Sequence, residues 1–413
     1  MTVELRPPEP DELVAWRQAL MLGFGASASA ATAEAAIAQF DPQRCLVGFD
    51  DGQVVATSGN LTSALALPGG RAIPMAGVTS VSVRATHRRR GLLSRMMGHL
   101  LDDAVERGEA LAALVASEAP IYGRFGFGEA VFADEVVIDR PLARFAPPLE
   151  PTGTICLEEA AGVVGDLMGL WQRWWPTCPG EVDRSEAWWQ ARIAVDPPGQ
   201  RGGASARLAA LHRGPGGGLD GYALYRAHPR WGQGNRPDGW VEVEALVALT
   251  PEARMELWSY LLGVDLVSEV RAQAVPLDEP LRHRLADLRQ LRVEGRSDKL
   301  WVRLLDVPTA LEARAYRAPG QLTIEVLDDV RPETAGRYRV DAGPDGAGVS
   351  RAAATTPADL VLGVAELGAL YLGGVRASSL VAAGRAREAK SGAALVADRL
   401  FAGDGQPFCA TIF

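Results

Sequence analysis

Residues 81–97 read Val-Ser-Val-Arg-Ala-Thr-His-Arg-Arg-Arg-Gly-Leu-Leu-Ser-Arg-Met-Met. Val81, Ser82 and Val83 end a strand, and Arg88, Arg89 and Arg90 form a basic turn. Gly91, Leu92, Leu93 and Ser94 then open an amphipathic helix. N–H groups at a helix start lack intrahelical partners and sit at the positive end of the helix dipole, so they suit a phosphate. Gly91 lets backbone approach closely, and guanidinium groups match phosphate geometry. The strand before the turn can pair with an amide-bearing arm as an added strand would, and the Val83 N–H could polarise a thioester carbonyl. A diphosphate and an amide-bearing arm together describe coenzyme A, and the pattern points to acyl transfer. The R-x-x-G-x-L spacing alone also fits a basic helix start on a solvated face; the upstream V-x-V strand favours the cofactor site.

A second cluster runs from Ser117 and Glu118 through Tyr122 to Gly128. Its glycines fall as G-x-x-G-x-G, the wrong order for a dinucleotide fingerprint. Tyr122 sits in a short helical turn one strand over, where a phenol could protonate a departing thiolate; spacing alone slightly favours an ordinary packed tyrosine. The five histidines are isolated, and His87 is expected to shape the basic turn. No G-x-S-x-G and no G-K-S/T occurs, which disfavours a serine hydrolase and a P-loop nucleotide hydrolase. Cys45, Cys156, Cys178 and Cys409 are far apart without C-x-x-C, so neither zinc nor dithiol chemistry is supported and no metal is expected.

The elements that must position these groups are spread over 413 residues, 47% hydrophobic and 23% charged. A formal charge of −9 argues against a general nucleic-acid partner. The N-terminus shows no signal-peptide pattern, and no stretch approaches about 20 consecutive apolar residues. A soluble, cytoplasmic protein is the simplest expectation. Residues 1–145 alternate strands and helices. Asp11 can cap a helix near 11–22, Asp51-Gly52 marks a hairpin, 73–83 and 111–116 are strands, and 130–138 is another. Between them, Leu92, Leu93, Met96, Met97, Leu100, Leu101 and Val105 repeat at helical spacing up to a stop at Gly108. Four prolines within 141–151 read as a linker. Residues 146–295 repeat the strand–helix layout at 240–262, but with Pro251-Glu252-Ala253-Arg254 where the first copy has Arg88 to Gly91. Glu252 repels a diphosphate, so this copy is expected to have lost the cofactor. The tryptophans near 171–175 and 188–189 suit packing, and Gly214 to Gly218 a hairpin tip. Residues 296–413 carry strands near 300–305, 321–326 and 336–340, and helical sequence at 357–371 and 378–384. The fold class is α/β with α+β.

Residues 78–128 together resemble the GNAT superfamily, and Thr86 to Leu93, Ser117-Glu118 with Ile121 to Gly126, and Leu300 to Val307 carry a more specific resemblance. Over its whole length the chain is similar to the Eis (enhanced intracellular survival) family of N-acetyltransferases. That resemblance implies tandem GNAT-type mixed-sheet domains followed by a sterol-carrier-protein-like α+β domain. It implies acetyl-CoA held by Val81 to Val83, Arg88 to Ser94, Ser117 and Glu118. It implies Tyr122 as general acid and the terminal carboxylate of Phe413 as general base. It also implies a homo-oligomer, a hexamer, and a primary-amine acceptor such as an aminoglycoside, another small amine or a protein lysine. The segment Phe24 to Ala30 carries no acid and Ile412 is apolar, which disfavours a highly cationic acceptor. A reading from another class is a non-catalytic acyl-CoA or lipid-binding protein acting through its C-terminal domain.

Overall fold

The computed structural model describes residues 3–26, 30–343 and 346–413. They form two compact units, one of Met1–Val131, Cys178–Ala187 and Asp298–Phe413, the other of Phe132–Thr177 and Trp188–Ser297.

In the first unit, Glu4–Arg6, Cys45–Asp50, Gln53–Leu67 and Arg71–Val83 are successive antiparallel neighbours. Leu111–Leu114 lies parallel to Arg71–Val83, and residues 301–304 of the strand Leu291–Leu304 pair with it antiparallel. The expected hairpin is present: Asp51 and Gly52 take φ of 48° and 73°, the left-handed pair that a two-residue turn requires. The first helix is Leu13–Gly23, preceded by a 3-10 turn Pro10–Glu12. The Glu12 carboxylate accepts the Glu9 N–H at 2.8 Å and closes the 3-10 turn; no side chain, Asp11 included, caps the helix itself.

The helix Leu92–Glu106 crosses from Arg71–Val83 to Leu111–Leu114. It buries Met97, Leu100, Leu101 and Ala104 against Ala76, Val78, Ala112 and Leu114. Val105 is turned to solvent, because Ala104 takes the inward position one residue earlier. Gly108 ends the helix at φ 74°. A buried arginine fixes the helix to the sheet: Arg44 donates to Glu109 at 2.9 and 2.6 Å, to Asp103 at 3.0 Å and to Thr62 at 2.7 Å.

The C-terminal part of this unit is a second sheet, in the order Gly346–Ala352, Gly336–Gly343, Gly320–Leu327, Leu360–Gly363, Ala386–Glu388. Helices Val307–Ala313, Val364–Leu370, Ala377–Ala382 and Ala393–Phe401 accompany it. The helix expected over 357–371 begins only at Val364; Leu360–Gly363 is a strand parallel to Gly320–Leu327. A four-residue apolar run fits both structures locally, and pairing decided it. Arg314 is fully buried and donates to the Tyr371 carbonyl and, at 3.0 Å, to the Phe401 carbonyl. Both carbonyls stand at helix C-termini, where a cation is favoured. The Tyr316 and Phe401 rings lie 4.9 and 5.0 Å from the guanidinium.

The second unit repeats the layout. Thr154–Glu159, Leu208–Arg213, Leu219–His228 and Gly239–Ala248 are antiparallel neighbours; Val267–Val275 lies parallel to Gly239–Ala248 after the helix Pro251–Gly263. Residues 134–139, expected within the first region, pair with Val267–Val275 of this unit. Strand partners are set by tertiary fit rather than by neighbourhood in sequence. Trp171 and Trp189 are fully buried with ring centroids 6.1 Å apart, so these tryptophans are core.

Replacing Arg314 by Met keeps an unbranched side chain but strands two helix-end carbonyls. The expected loss is about 2–4 kcal/mol, read as a shifted midpoint in chemical denaturation.

Candidate functional site

The parallel pairing of Arg71–Val83 with Leu111–Leu114 covers Met75↔Leu111, Ala76↔Ala112 and Gly77↔Ala113 and stops there. Past Gly77 the strand continues to Val83 paired only with Gln53–Leu67 on its other side. A buried backbone edge needs partners, and this one faces a gap between two parting strands. A one-residue bulge lies in the same stretch: the register steps from Thr57↔Ser82 to Gly59↔Thr79, and Ser80 takes φ 56°. The Thr57 hydroxyl donates to the Ser80 carbonyl at 2.9 Å. The bulge inverts the alternation, so Ala76 and Val78 face the helix before it, and Val81 and Val83 after it. Ser82 points the other way, and a Cβ on Gly23 would lie 2.0 Å from its Oγ.

The helix start beside this edge is prepared for an anion. Arg89 and Gly91 take φ of 62° and 75°. Gly91 is the N-cap, no side chain caps the first turn, and no acid lies in it. A Cβ on Gly91 would meet nothing within 4 Å, so the space before the N–H groups is clear. His87 braces the turn: its Nε2 lies 2.8 Å from the Asp50 carboxylate and its Nδ1 2.8 Å from the Thr86 hydroxyl. Arg90 turns back, donating to the Thr86 carbonyl at 3.3 Å with Asp50 3.8 Å away.

A cavity of about 590 Å³ joins these features, a size common for small-molecule sites. It is lined by Val81–Val83, Arg88, Arg89, Gly91–Ser94, Ser117, Glu118 and Tyr122. Arg90 and Phe413, also named from sequence, do not line it. Gly23, Ile121 and Arg124 also line it, as does Phe24, the first residue of the segment expected on the acceptor side and 58% exposed at the end of its helix. Of the acid-poor segment 24–30, residues 27–29 lie outside the described residues.

Tyr122 ends the short helix Ala119–Tyr122 and is buried. Burial pushes its phenol pKa up, a hydrogen bond with Ser117 opposes this, and the Glu118 charge adds to it. Its turn is held from behind, where buried Arg303 donates to the Phe125 carbonyl at 2.5 Å and to Asp328 at 2.6 Å. Two of the glycines in G-x-x-G-x-G serve this packing. Gly126 takes φ 80° where a Cβ would strike Arg303, and a Cβ on Gly128 would lie 1.8 Å from the Ala365 carbonyl oxygen.

Phe413 lies on the other face of the sheet. Its ring carbons are 3.3 and 3.4 Å from where a Gly77 Cβ would be, at the point where the strands part.

The corresponding helix start in the second unit is closed. The Thr250 hydroxyl accepts the Ala253 N–H at 3.1 Å, Pro251 holds the first turn, and Glu252 adds negative charge. Arg254 is engaged by the Glu279 carboxylate at 3.0 and 3.1 Å, which also takes the Trp258 indole N–H at 3.2 Å.

Residues 4–130 and 180–318 each match a model described as an acetyltransferase (GNAT) domain, and residues 307–410 match a sterol carrier protein domain. An uncharacterized N-acetyltransferase of Streptomyces avermitilis is 39% identical over 100% of this chain and 99% of its own. N-acetyltransferase Eis of Mycobacterium tuberculosis is 36% identical over 82% of this chain and 81% of its own. The crystal structure of Eis1 from Mycobacterium abscessus superposes with a TM-score of 0.85 at 32% identity, covering 100% of both chains. The site and fold are thus those of a GNAT acetyltransferase. The chain belongs to the Eis family of N-acetyltransferases, with two GNAT domains followed by a sterol-carrier-like domain.

GNAT acetyltransferases use acetyl-CoA, and the uncapped helix start, the clear space before Gly91 and the strand edge without a neighbour fit it. Among the described residues no group of three or more His, Cys, Asp or Glu could hold a metal ion. Gly91→Val places a branched side chain at φ 75° and in the clear space. The expected result is at least a tenfold rise in the acetyl-CoA dissociation constant by calorimetry. Arg88→Ala with Arg89→Ala should also weaken binding, with a smaller dependence on salt than the parent.

Proposed function

We propose that the chain transfers acetyl from acetyl-CoA to a primary amine, in the cavity between Arg71–Val83 and the Tyr122 turn. One observation carries this reading: an uncapped helix start, an unpaired strand edge and a buried phenol line the same cavity. Acetyl-CoA bound there supplies an activated acetyl thioester. The N–H groups of Gly91 to Ser94, with Arg88 and Arg89, hold the diphosphate. The edge of Val81 to Val83 aligns the amide-bearing arm, and its N–H groups stabilise charge on the carbonyl oxygen. Tyr122 Oη carries the proton that the departing sulfur needs. The Phe413 carboxylate, beyond Gly77, takes the proton of the incoming amine, directly or through water.

The exposed apolar residue Phe24 lines the cavity, and the exposed apolar Ile412 precedes Phe413 in sequence. This supports a less cationic amine, or a lysine on a protein, over an aminoglycoside. A homo-oligomer, a hexamer, belongs to the same reading and is checked by light scattering. No helix among the described residues is long and apolar enough to cross a membrane.

The chemistry is tested by the release of free thiol with a panel of amines. Tyr122→Phe keeps the packing and removes the proton, so kcat should fall about 10²-fold or more; unchanged turnover removes the general-acid role. Burial raises the phenol pKa, so Tyr122 stays protonated to higher pH than usual. Loss of kcat from its ionisation should therefore begin above the ordinary tyrosine value of about 10, and Tyr122→Phe should lack that limb. Calorimetry should find one acetyl-CoA per chain, since the second helix start is closed by its own side chains.

A further inference from the structure

Cys178–Ala187 stands in sequence between two stretches of the second unit, yet it belongs to the first. Its backbone docks on the strand Gln53–Leu67. The Ala66 N–H donates to the Glu181 carbonyl at 2.8 Å, the Gly180 N–H to Ala66 at 2.9 Å, and the Asp183 N–H to Ala64 at 3.1 Å. The Asp183 carboxylate accepts the Ser63 hydroxyl at 2.5 Å and the Ala64 N–H at 2.8 Å. The anchor is therefore close to the apex of the splay, because Ser63 pairs with Met75 and Leu61 with Gly77.

The other side of this segment grips the end of the chain. The Phe408 N–H donates to the Pro179 carbonyl at 2.9 Å. Glu181 is fully buried, and its carboxylate accepts the Ala410 N–H at 2.8 Å and the Thr411 N–H at 3.3 Å, besides the Val182 N–H at 3.0 Å. Buried Arg184 donates from Nε to the Thr411 hydroxyl at 2.9 Å. Residues 402–413 form no helix or strand, so these bonds satisfy backbone that has no ladder of its own. Burying a carboxylate costs several kcal/mol unless its acceptors are used, and three of the bonds Glu181 accepts come from the tail: the Ala410 and Thr411 N–H groups and, at 3.6 Å, the Cys409 thiol.

We propose that Glu181 and Arg184 are positioning residues for the acetyl-transfer reaction. They clamp residues 408–411 so that Phe413 is delivered to Gly77 where the strands part. The inference rests on the reading that the Phe413 carboxylate accepts the amine proton. Two residues follow Thr411 and span at most about 7 Å. With the clamp on one side and the Phe413 ring against Gly77 on the other, the carboxylate has little room to wander. A base held to a fraction of an ångström is worth orders of magnitude in rate, and a base on a free tail is not.

The test uses the full chain with Glu181→Ala, Glu181→Gln and Thr411→Val, alone and combined with one glycine appended after Phe413. Glu181→Ala should lower kcat at least tenfold while the acetyl-CoA dissociation constant stays within twofold. Glu181→Gln, which keeps one acceptor oxygen, should fall between it and the parent. Thr411→Val preserves shape, breaks only the Arg184 bond, and should cost several-fold in kcat; it also serves if the alanine variant fails to fold. On the glycine-extended chain, Glu181→Ala should lower kcat no further, because the group it positions is already displaced. An equal loss on both backgrounds, or parental kcat in both Glu181→Ala and Thr411→Val, overturns the clamp. Full activity of the glycine-extended chain overturns the underlying role of the Phe413 carboxylate instead, whatever Glu181 does.

Discussion

The parallel pairing that stops at Gly77↔Ala113 is the constraint on which the rest of the first unit depends. Three paired residues suffice to align Arg71–Val83 and Leu111–Leu114; a longer ladder would close the gap. Because the ladder ends, the backbone from residue 78 to 83 is left with one strand neighbour in place of two. The surroundings follow from that. The bulge at Ser80 re-aims Val81 and Val83, the helix start at Gly91 stands beside the free edge, and the Tyr122 turn follows the departing strand.

Buried arginines brace the elements around the gap. Arg44 ties the helix Leu92–Glu106 to the sheet through Glu109 and Asp103. Arg303 holds the turn after Tyr122 through the Phe125 carbonyl, with Asp328 balancing its charge. Burial alone would raise the Asp103 pKa, but bonds from Arg107, Asn60 and Arg44 outweigh this and hold it low. Charge-assisted bonds of this kind are directional, so they set geometry as well as stability. In the second unit the same layout carries the opposite solution. Glu279 satisfies Arg254 from within, and Thr250 occupies the helix start.

Much of the cradle was legible because its signals are local. A basic turn, a glycine and an amphipathic run identify a helix start in any context, and of the residues named there only Arg90 turns away. Glu252 in place of the basic turn likewise marked the closed copy. What could not be read depends on residues distant in sequence. The bulge at Ser80 has no marker, since serine seldom takes positive φ and here does so against Thr57. The strand at Leu360–Gly363 looked helical until Gly320–Leu327 supplied its partner. Residues 134–139 went with the region that precedes them in sequence, but pair with Val267–Val275. The order of Gly123, Gly126 and Gly128 excluded a dinucleotide fingerprint but gave no reason for the glycines; close packing of Gly126 against Arg303 and of Gly128 against Ala365 supplies it.

The docking of Cys178–Ala187 between Gln53–Leu67 and the tail has a consequence for how the unit comes into being. The Thr411 N–H reaches Glu181 across 230 positions, and Asp183 reaches Ser63 across 120. Contacts of such separation carry a large loop-closure entropy and tend to form late in folding. On a ribosome the sheet, the helix Leu92–Glu106 and the Tyr122 turn can all be synthesised long before residue 411 emerges. The joint between them is thus a record of completion. A nascent or shortened chain can own the pieces of this site without owning their arrangement.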